Sequence, residues 1–245
     1  MKMSDLLKIC EASHSMKVLC VGDIMLDRFS YGKVERISPE APIPVLKQTK
    51  EMSMLGAAGN VARNVASMGS VAVLIGVIGE DEAGSFLKMQ LEDEPQITDQ
   101  LSSEADRVTT VKIRYIANGQ QLLRVDNEDS HDVSGNAENE ICANILKTAS
   151  ACKAILLSDY AKGCVTPAVI NACLTAAKCH SIPIIVDPKG TDFSKYGAVD
   201  VLKPNAKELS DATGLPTNSD DEIERALNAL LQTSDAKCVL VTRSE

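Results

Sequence analysis

Short apolar runs alternate with amphipathic stretches along most of the chain. The apolar runs predict buried strands at residues 17–22, 71–77, 154–157, 182–186, 199–202 and 238–241. The amphipathic stretches predict helices at residues 3–13, 82–91, 134–150, 166–180, 205–213 and 220–231. Repeated strand–helix units of this length are typical of a parallel sheet with helices on both faces. Right-handed crossovers then bring the carboxyl ends of the strands to one edge of the sheet.

The stretch Leu55–Gly69 combines small residues with a helical pattern. Apolar side chains recur there at spacings of three and four, at Leu55, Ala58, Val61, Val65 and Met68. Gly69 is well suited to end such a helix. A glycine-rich entry points free N–H groups at whatever lies before the helix, and Asn60 adds an amide beside them. The stretch predicts a site for hydroxyls or an anion; the alternative is a small-residue helix packed tightly on a sheet.

Two extended segments, at about 28–47 and 107–126, differ from this strand–helix pattern. The first contains Pro39, Pro42 and Pro44, which exclude a helix. The second contains Asn118-Gly119, a strong signal for a hairpin turn. We expect the two segments to form one small sheet outside the main layer. A stretch rich in Glu, Asp and Ser, ending near residue 105, is predicted to be a linker.

Polar side chains follow most of the predicted strands. They are Asp23, Asp159, Asp187, Lys189, Asn205, Glu208 and Thr242. Each alone is typical of a turn or a helix cap. Because parallel strands place their carboxyl ends together, and because ligands bind there in α/β sheets, the set predicts a functional edge.

Composition narrows the classes of partner. The chain has 245 residues, 44% of them hydrophobic, which fits an α/β protein with a sizeable core, and we expect one domain over residues 1–245. A net charge of −9 argues against a nucleic-acid partner, and no apolar run reaches membrane-spanning length. Eight cysteines without C-x-x-C spacing, and no signal peptide, predict reduced thiols in a cytoplasmic protein.

Several stretches together resemble the PfkB/ribokinase-type carbohydrate kinases. They are VGDIMLDRFSYGKVERISPEAPIPVLK (21–47), LGAAGNVARNVASMG (55–69), QQLLRVDNED (120–129), LSDYAKG (157–163), VDPKGTDFSKY (186–196), KPNAKE (203–208) and VTRSE (241–245). The resemblance implies a ribokinase-like, three-layer α/β/α Rossmann-like body with a small β-sheet lid formed by the two extended segments. It also implies a homodimer contact through that lid.

Within this family the motifs are similar to those of the branch that acts on D-glycero-β-D-manno-heptose 7-phosphate. The resemblance implies ATP-dependent phosphorylation of the anomeric C1 hydroxyl, giving the 1,7-bisphosphate used towards ADP-heptose and the lipopolysaccharide core. ATP and Mg²⁺ are the expected co-substrate and cofactor. Two alternatives stay open: an inactive remnant that binds sugar or dimerises, and a kinase of another sugar or a nucleoside.

The resemblance also assigns roles to residues. Asp23, Asp27, Gly56 and Asn60 would bind the sugar. Asn205 and Glu208 would organise Mg²⁺ through water, while Lys189 and Thr242 would lie near the ATP phosphates. The second phosphate of the sugar needs cations of its own, and the candidates are Arg28, Arg36, Arg114 and Arg124.

One family feature is expected outside this sequence, beyond Glu245. The family's G-A-G-D motif, with the general base and the helix that holds the migrating phosphoryl group, would follow the stretch VTRSE that Glu245 ends. We therefore expect no catalytic base within the chain and a fold whose C-terminal part is missing. A natural truncation and a fragment are both compatible with this expectation, as is a separately encoded nucleotidyltransferase domain.

Overall fold

A computed structural model describes residues 16–243, together with residues 11 and 14. The helix predicted at 3–13 lies outside the described residues except for residue 11. Glu245, beyond which the general base is expected, also lies outside them, so that expectation stays a prediction.

The strands are β1 (Lys17–Gly22), β2 (Ile24–Ile37), β3 (Pro44–Ala57), β4 (Val71–Gly79), β5 (Ile97–Glu104), β6 (Thr110–Ala117), β7 (Gln120–Asn127), β8 (Ala154–Ser158), β9 (Ile184–Asp187), β10 (Val201–Leu202) and β11 (Cys238–Val239). The helices are α1 (Ala58–Ser67), α2 (Glu82–Glu92), α3 (Gly135–Thr148), α4 (Pro167–His180), α5 (Ala206–Thr213) and α6 (Asp220–Thr233). Short 3₁₀ turns cover Ala149–Ala151 and Ser194–Tyr196.

The start of α4 agrees with the sequence prediction. Thr166 caps α4 through its hydroxyl, and proline occupies the first turn.

Among the described residues, no helix combines the length and the hydrophobicity that a membrane span requires.

The main sheet has seven parallel strands in the order β11-β10-β9-β8-β1-β4-β5. Alternate residues of β1 face opposite cores: Leu19 packs in the cluster that contains α3 and α4, and Cys20 in the one that contains α1 and α2. Helices therefore cover both faces of the sheet, which confirms the predicted α/β/α layering.

The lid is a separate four-stranded sheet in the order β3-β2-β6-β7. Asn118 and Gly119 both have positive φ, at 51° and 79°, which suits the tight turn between β6 and β7. The two predicted segments do form one sheet, but its strands extend further than predicted. Long β2 and β3 run from the tip of the lid to the body at Ile24 and Ala57.

The predicted linker before residue 105 is wrong, because Ile97–Glu104 forms strand β5 beside β4. Only Ile97 and Ser102 are buried in it. β5 is an edge strand, which pairs with a neighbouring strand on one side alone. Its polar side chains therefore remain partly exposed at little cost in free energy. This polar composition concealed the strand in the sequence.

The helix predicted from Leu55 begins later than expected. Residues 55–57 end strand β3, and Ala57 adopts a φ of 49° before α1 starts at Ala58. The Ala58 N–H donates to the Asp23 carbonyl at 3.0 Å, so this group is not free for a ligand. Met68, predicted to be on the buried face, is 55% exposed because the helix has already ended at Ser67.

Candidate active site

Three of the predicted polar residues lie side by side at the carboxyl edge of the main sheet. The Asp23 N–H donates to the Ser158 carbonyl at 3.2 Å, and the Asp159 N–H donates to the Asp187 carbonyl at 3.0 Å. These bonds extend the pairing of β1, β8 and β9 by one residue beyond the strand ends. The strand order thus assembles the carboxylates of β1, β8 and β9 as the sequence predicts.

Asp23 is only 2% exposed, and its carboxylate binds backbone. It accepts hydrogen bonds from the N–H groups of Tyr160 at 2.6 Å, Lys162 at 3.2 Å and Cys164 at 3.0 Å. Burial raises the pKa of Asp23, these three bonds oppose the rise, and the charge of Asp159 adds to it. In this structure Asp23 therefore anchors the loop 159–164; direct contact with a sugar remains a prediction.

Asp27 and Gly56 meet where the lid joins the body. A Cβ added to Gly56 would lie 2.5 Å from Asp27 Oδ2, so the missing side chain leaves room for that carboxylate. Arg114 of β6 forms an ion pair with Asp27 and lies 5.2 Å from the centre of the Phe29 ring. A carboxylate and a guanidinium at one sheet junction can bind hydroxyl and phosphate oxygens.

The other three candidate arginines have different surroundings. Arg28 lies over the Phe86 ring, at 5.7 Å from its centre. Arg124 donates to Asp126 Oδ1 at 2.9 Å, and Arg36 is exposed near the end of β2. The structure thus places Arg114 beside Asp27, a predicted sugar residue, while the choice of the arginine that binds the phosphate stays a prediction.

Asn60 is exposed in the first turn of α1. It lines a groove of about 420 Å³ whose wall includes Arg63, Asn64 and Glu94. Arg63 and Glu94 form an ion pair at 3.0 Å there. The role of Asn60 in binding a sugar stays a prediction.

The four residues predicted for the nucleotide side lie together. Lys189 Nζ contacts Glu208 Oε1 at 3.0 Å, and the Asn205 N–H donates to Glu208 Oε2 at 3.0 Å. The Glu208 N–H donates to Asn205 Oδ1 at 2.8 Å, which completes a capping box at the start of α5. Thr242 pairs with Asn205 in a short β-bridge. This cluster presents an ammonium group at the edge where β9 and β10 end.

The cluster fits a magnesium ion held through water. Both side chains of the capping box already bind backbone, and the Glu208 side chain is 15% exposed. Mg²⁺ keeps several waters and needs few protein ligands, so an outer-shell role suits this pair better than direct coordination. Among the described residues, no group of three or more His, Cys, Asp or Glu side chains is arranged to hold a metal ion by itself.

A buried tyrosine joins the two halves of the edge. Tyr196 donates from its hydroxyl to Asp159 Oδ2 at 2.7 Å and accepts from the Lys189 N–H at 2.9 Å. Lys195 Nζ also binds Asp159 Oδ2, at 2.8 Å. Burial and the Asp159 charge raise the pKa of Tyr196, so it stays a neutral donor. Sequence reasoning did not single out Tyr196; its signal was its place in the stretch 186–196.

Tyr160 was also missed and directly follows Asp159 at the carboxyl edge of the sheet. Its side chain is 38% exposed, and its N–H binds Asp23. Burial raises the pKa of Tyr160, and the carboxylates of Asp187, Glu208, Asp27 and Asp23 raise it further. Tyr160 is thus close enough to the carboxylates of both clusters to be affected by their charge.

Sequence comparison finds relatives over nearly the whole chain. The pfkB family of carbohydrate kinases matches residues 15–245. A protein named bifunctional protein HldE, from Hyphomonas neptunium, is 49% identical over 93% of this chain and 47% of its own length. Its namesake from Caulobacter vibrioides is 48% identical over 92% of this chain and 46% of its own length. The chain therefore spans about half the length of these curated relatives.

Comparison with solved structures finds proteins that share the fold of this chain. Phosphofructokinase-2 from Escherichia coli in complex with fructose-6-phosphate aligns with a TM-score of 0.73 at 22% identity, over 94% of this chain and 74% of that one. Arabidopsis thaliana ribokinase complexed with ribose and ATP aligns with a TM-score of 0.69 at 20% identity, over 94% and 72%. These likenesses establish a ribokinase-like fold. The family match over residues 15–245 shows that the chain belongs to the pfkB family of carbohydrate kinases.

Proposed function

We propose that this chain provides the kinase part of a protein that phosphorylates the C1 hydroxyl of D-glycero-β-D-manno-heptose 7-phosphate with ATP. Membership of a carbohydrate kinase family and the identity with HldE proteins support a sugar kinase. The observation that carries the proposal is the pair of clusters, Asp27 with Arg114 where the lid joins the body and Lys189 with Glu208 at the carboxyl edge of the main sheet. Tyr160 follows Asp159 at that edge.

The first cluster would bind the sugar. The Asp27 carboxylate accepts hydrogen bonds from sugar hydroxyls, and Gly56 leaves the space that this carboxylate occupies. Arg114, which pairs with Asp27, would also pair with the substrate's phosphate. Asn60 contributes an amide at the start of α1. Asp23 acts by holding the loop 159–164 in place.

The second cluster would bind ATP. Lys189 and Thr242 lie near the phosphates, and Asn205 with Glu208 hold the waters of Mg²⁺. When bound, Mg²⁺ supplies charge neutralisation to the phosphates. Phosphoryl transfer depends mainly on alignment and charge stabilisation, which the two clusters would provide together.

None of the described carboxylates at this edge is assigned as the general base. Asp23 and Asp159 are buried and fully engaged with donors. Asp187 forms an ion pair with Lys203 at 2.9 Å. The roles that these contacts support are structural or electrostatic, and we propose that the base belongs to the family motif expected beyond Glu245.

The proposal includes a homodimer through the lid. Strand β7 is exposed along its whole length, and Leu123 and Val125 are 57% and 42% exposed. An exposed apolar sheet edge is typical of an interface. We also place the protein in the cytoplasm, where thiols stay reduced; the seven described cysteines are unpaired.

A substrate panel tests the proposed function. The full-length gene product is incubated with Mg²⁺, ATP and either heptose 7-phosphate, fructose 6-phosphate, ribose or a nucleoside, and ADP release is measured. We expect heptose 7-phosphate to give the highest kcat/KM. Preference for another compound would establish a different kinase, while sugar binding without ADP release would establish a catalytically inactive binding protein.

A further inference from the structure

We propose that Lys162 is a positioning residue that ties the lid to the loop 159–164 and so sets the geometry of the sugar side. The inference rests on the proposed function. Lys162 is not among the predicted site residues, but it contacts both the body and the lid.

Three separate parts of the chain meet at Lys162. Its N–H donates to Asp23 Oδ2 at 3.2 Å, just after β1. Its carbonyl accepts from Arg107 Nη1 at 3.0 Å, in the segment between β5 and β6. Its ammonium group donates to Glu128 Oε1 at 2.8 Å, directly after lid strand β7. One residue thus fixes the loop to the body by its backbone and to the lid by its side chain.

The lid side of this contact continues as a chain of charges. Glu128 Oε2 accepts from Lys112 Nζ of β6 at 2.9 Å, and Lys112 Nζ also contacts Asp126 Oδ2 of β7 at 3.0 Å. Lys162, Glu128 and Lys112 have side-chain exposures of 20%, 31% and 14%. Partly buried pairs in a network are screened less by water and salt than isolated surface pairs are.

The body side of the contact is buried and closely packed. Arg107 is 5% exposed and donates a second bond, from Nη2 to the His131 carbonyl at 2.7 Å, so it holds the lid's exit segment as well as the loop. Gly163 has a φ of +87°, and a Cβ there would lie 1.9 Å from the same carbonyl. The loop and the residues after β7 therefore fit together in one arrangement.

This loop carries Tyr160, whose N–H donates to the Asp23 carboxylate at 2.6 Å. Ala161 has a φ of 54°, an uncommon conformation for a non-glycine residue that surrounding contacts must maintain. A lid displaced from the body would stretch the Lys162–Glu128 ion pair. The loop 159–164 would then lose one of the contacts that maintain its conformation. Lys162 thereby couples the position of the lid to the position of the loop 159–164.

The test uses the full-length protein and any sugar that the wild type phosphorylates. We measure KM for sugar, KM for ATP, kcat and Tm for Lys162→Met, Lys162→Arg, Glu128→Gln and the double variant Lys162→Met/Glu128→Gln. The control is Lys237→Met, which breaks a 2.7 Å pair with Asp200 far from the lid.

We expect Lys162→Met and Glu128→Gln each to raise the sugar KM by roughly 5- to 30-fold, with the ATP KM within about twofold of wild type. The double variant should resemble either single variant, since the two residues act as a unit. Lys162→Arg should restore most of the affinity, and the control should match wild type.

Two results would overturn the inference. If Lys162 instead bound the substrate directly, Glu128→Gln would free its ammonium group and leave or lower the sugar KM, opposite to Lys162→Met. Equal rises in both KM values, scaling with loss of Tm, would show a purely structural pair. A wild type that phosphorylates no sugar defeats the proposed function itself, independently of these variants.

Discussion

The Asp27 carboxylate lies directly against the backbone of Gly56, across the two lid strands where they enter the body. A Cβ at position 56 would come within 2.5 Å of Asp27 Oδ2 and within 2.6 Å of Met25 Cγ. Both of these atoms belong to side chains, and Gly56 has no positive φ that an alanine would strain. The absence of a side chain at Gly56 therefore allows the Asp27 carboxylate to occupy this position. The backbone conformation of Gly56 itself would tolerate a larger residue.

Replacing Gly56 with alanine should displace Asp27 without unfolding the protein. We expect the sugar KM to rise by about tenfold or more, since small displacements of binding groups are costly, while the ATP KM stays near wild type. Steady-state kinetics with each substrate varied in turn measures both values. Asp27→Asn, which keeps the shape and removes the charge, should reproduce the change; a normal sugar KM in both variants would exclude Asp27 from the sugar site.

Glu208 is predicted to serve the nucleotide as well as the helix. Glu208→Gln should raise the KM for MgATP by about tenfold or more, because it loses both the Lys189 partner and the charge near the metal's waters. The variant should also lose a modest amount of stability, on the order of 0.5–1 kcal/mol, through the weakened cap.

The chain offers a matched control in α6. Ser219 and Glu222 form the same kind of capping box, and Glu222 is half-buried at the helix start, as Glu208 is. Glu222→Gln should show a comparable stability loss with an unchanged KM for MgATP. If the two variants behave alike in both kinetics and stability, Glu208 is a helix cap and nothing more.

The lid attachment should weaken in acid. The bonds from Lys162 and Lys112 hold the pKa of Glu128 below its ordinary value, against a smaller opposing effect of burial. Near pH 4 the folded protein thus binds fewer protons than the unfolded chain. Stability from Glu128 is complete above the unfolded pKa of about 4.3 and is lost as pH falls through the lower folded value.

Thermal unfolding between pH 3 and pH 7 measures this effect. The Tm difference between wild type and Glu128→Gln should be constant near neutral pH and shrink below about pH 4.5. Glu140→Gln, at an exposed position of α3, serves as the control. A difference that persists unchanged at pH 3 would contradict the ion-pair account.

The exposed edge of the lid should mediate the dimer. Leu123 lies opposite Tyr115 in the β6–β7 pairing, two residues from Val125 on the same face. Leu123→Asp should convert a dimer to a monomer at micromolar concentration in light scattering, with little change in Tm. A wild type that is monomeric under these conditions would remove the lid interface from the proposal.

The elements that local pattern defines could be predicted from the sequence. Apolar runs indicated the central strands, and Asn118-Gly119 indicated the lid hairpin. The edge strand Ile97–Glu104 escaped detection, because a strand that is half exposed carries no continuous apolar run. The start of α1 was misplaced because the last two residues of the strand before it, Gly56 and Ala57, are small like those that begin the helix.

The site was predictable only in part for a similar reason. The strand-end rule located Asp23, Lys189 and Glu208 at one edge. It could not tell that Asp23 would be saturated by backbone N–H groups, which depends on residues about 140 positions away. Arg107 and Lys162 lie 55 residues apart in the chain, and no local sequence pattern predicts that they contact each other. Such long-range polar contacts follow from the fold and not from any spacing in the chain.

Identifying the phosphorylated product tests the central claim most directly. The full-length protein is incubated with heptose 7-phosphate, Mg²⁺ and ATP, and the products are followed by phosphorus NMR. The account predicts a new signal from a phosphate on the anomeric carbon, appearing in step with ADP and retained alongside the original 7-phosphate. ATP consumption with no sugar bisphosphate, or a phosphate on a different hydroxyl, would contradict it.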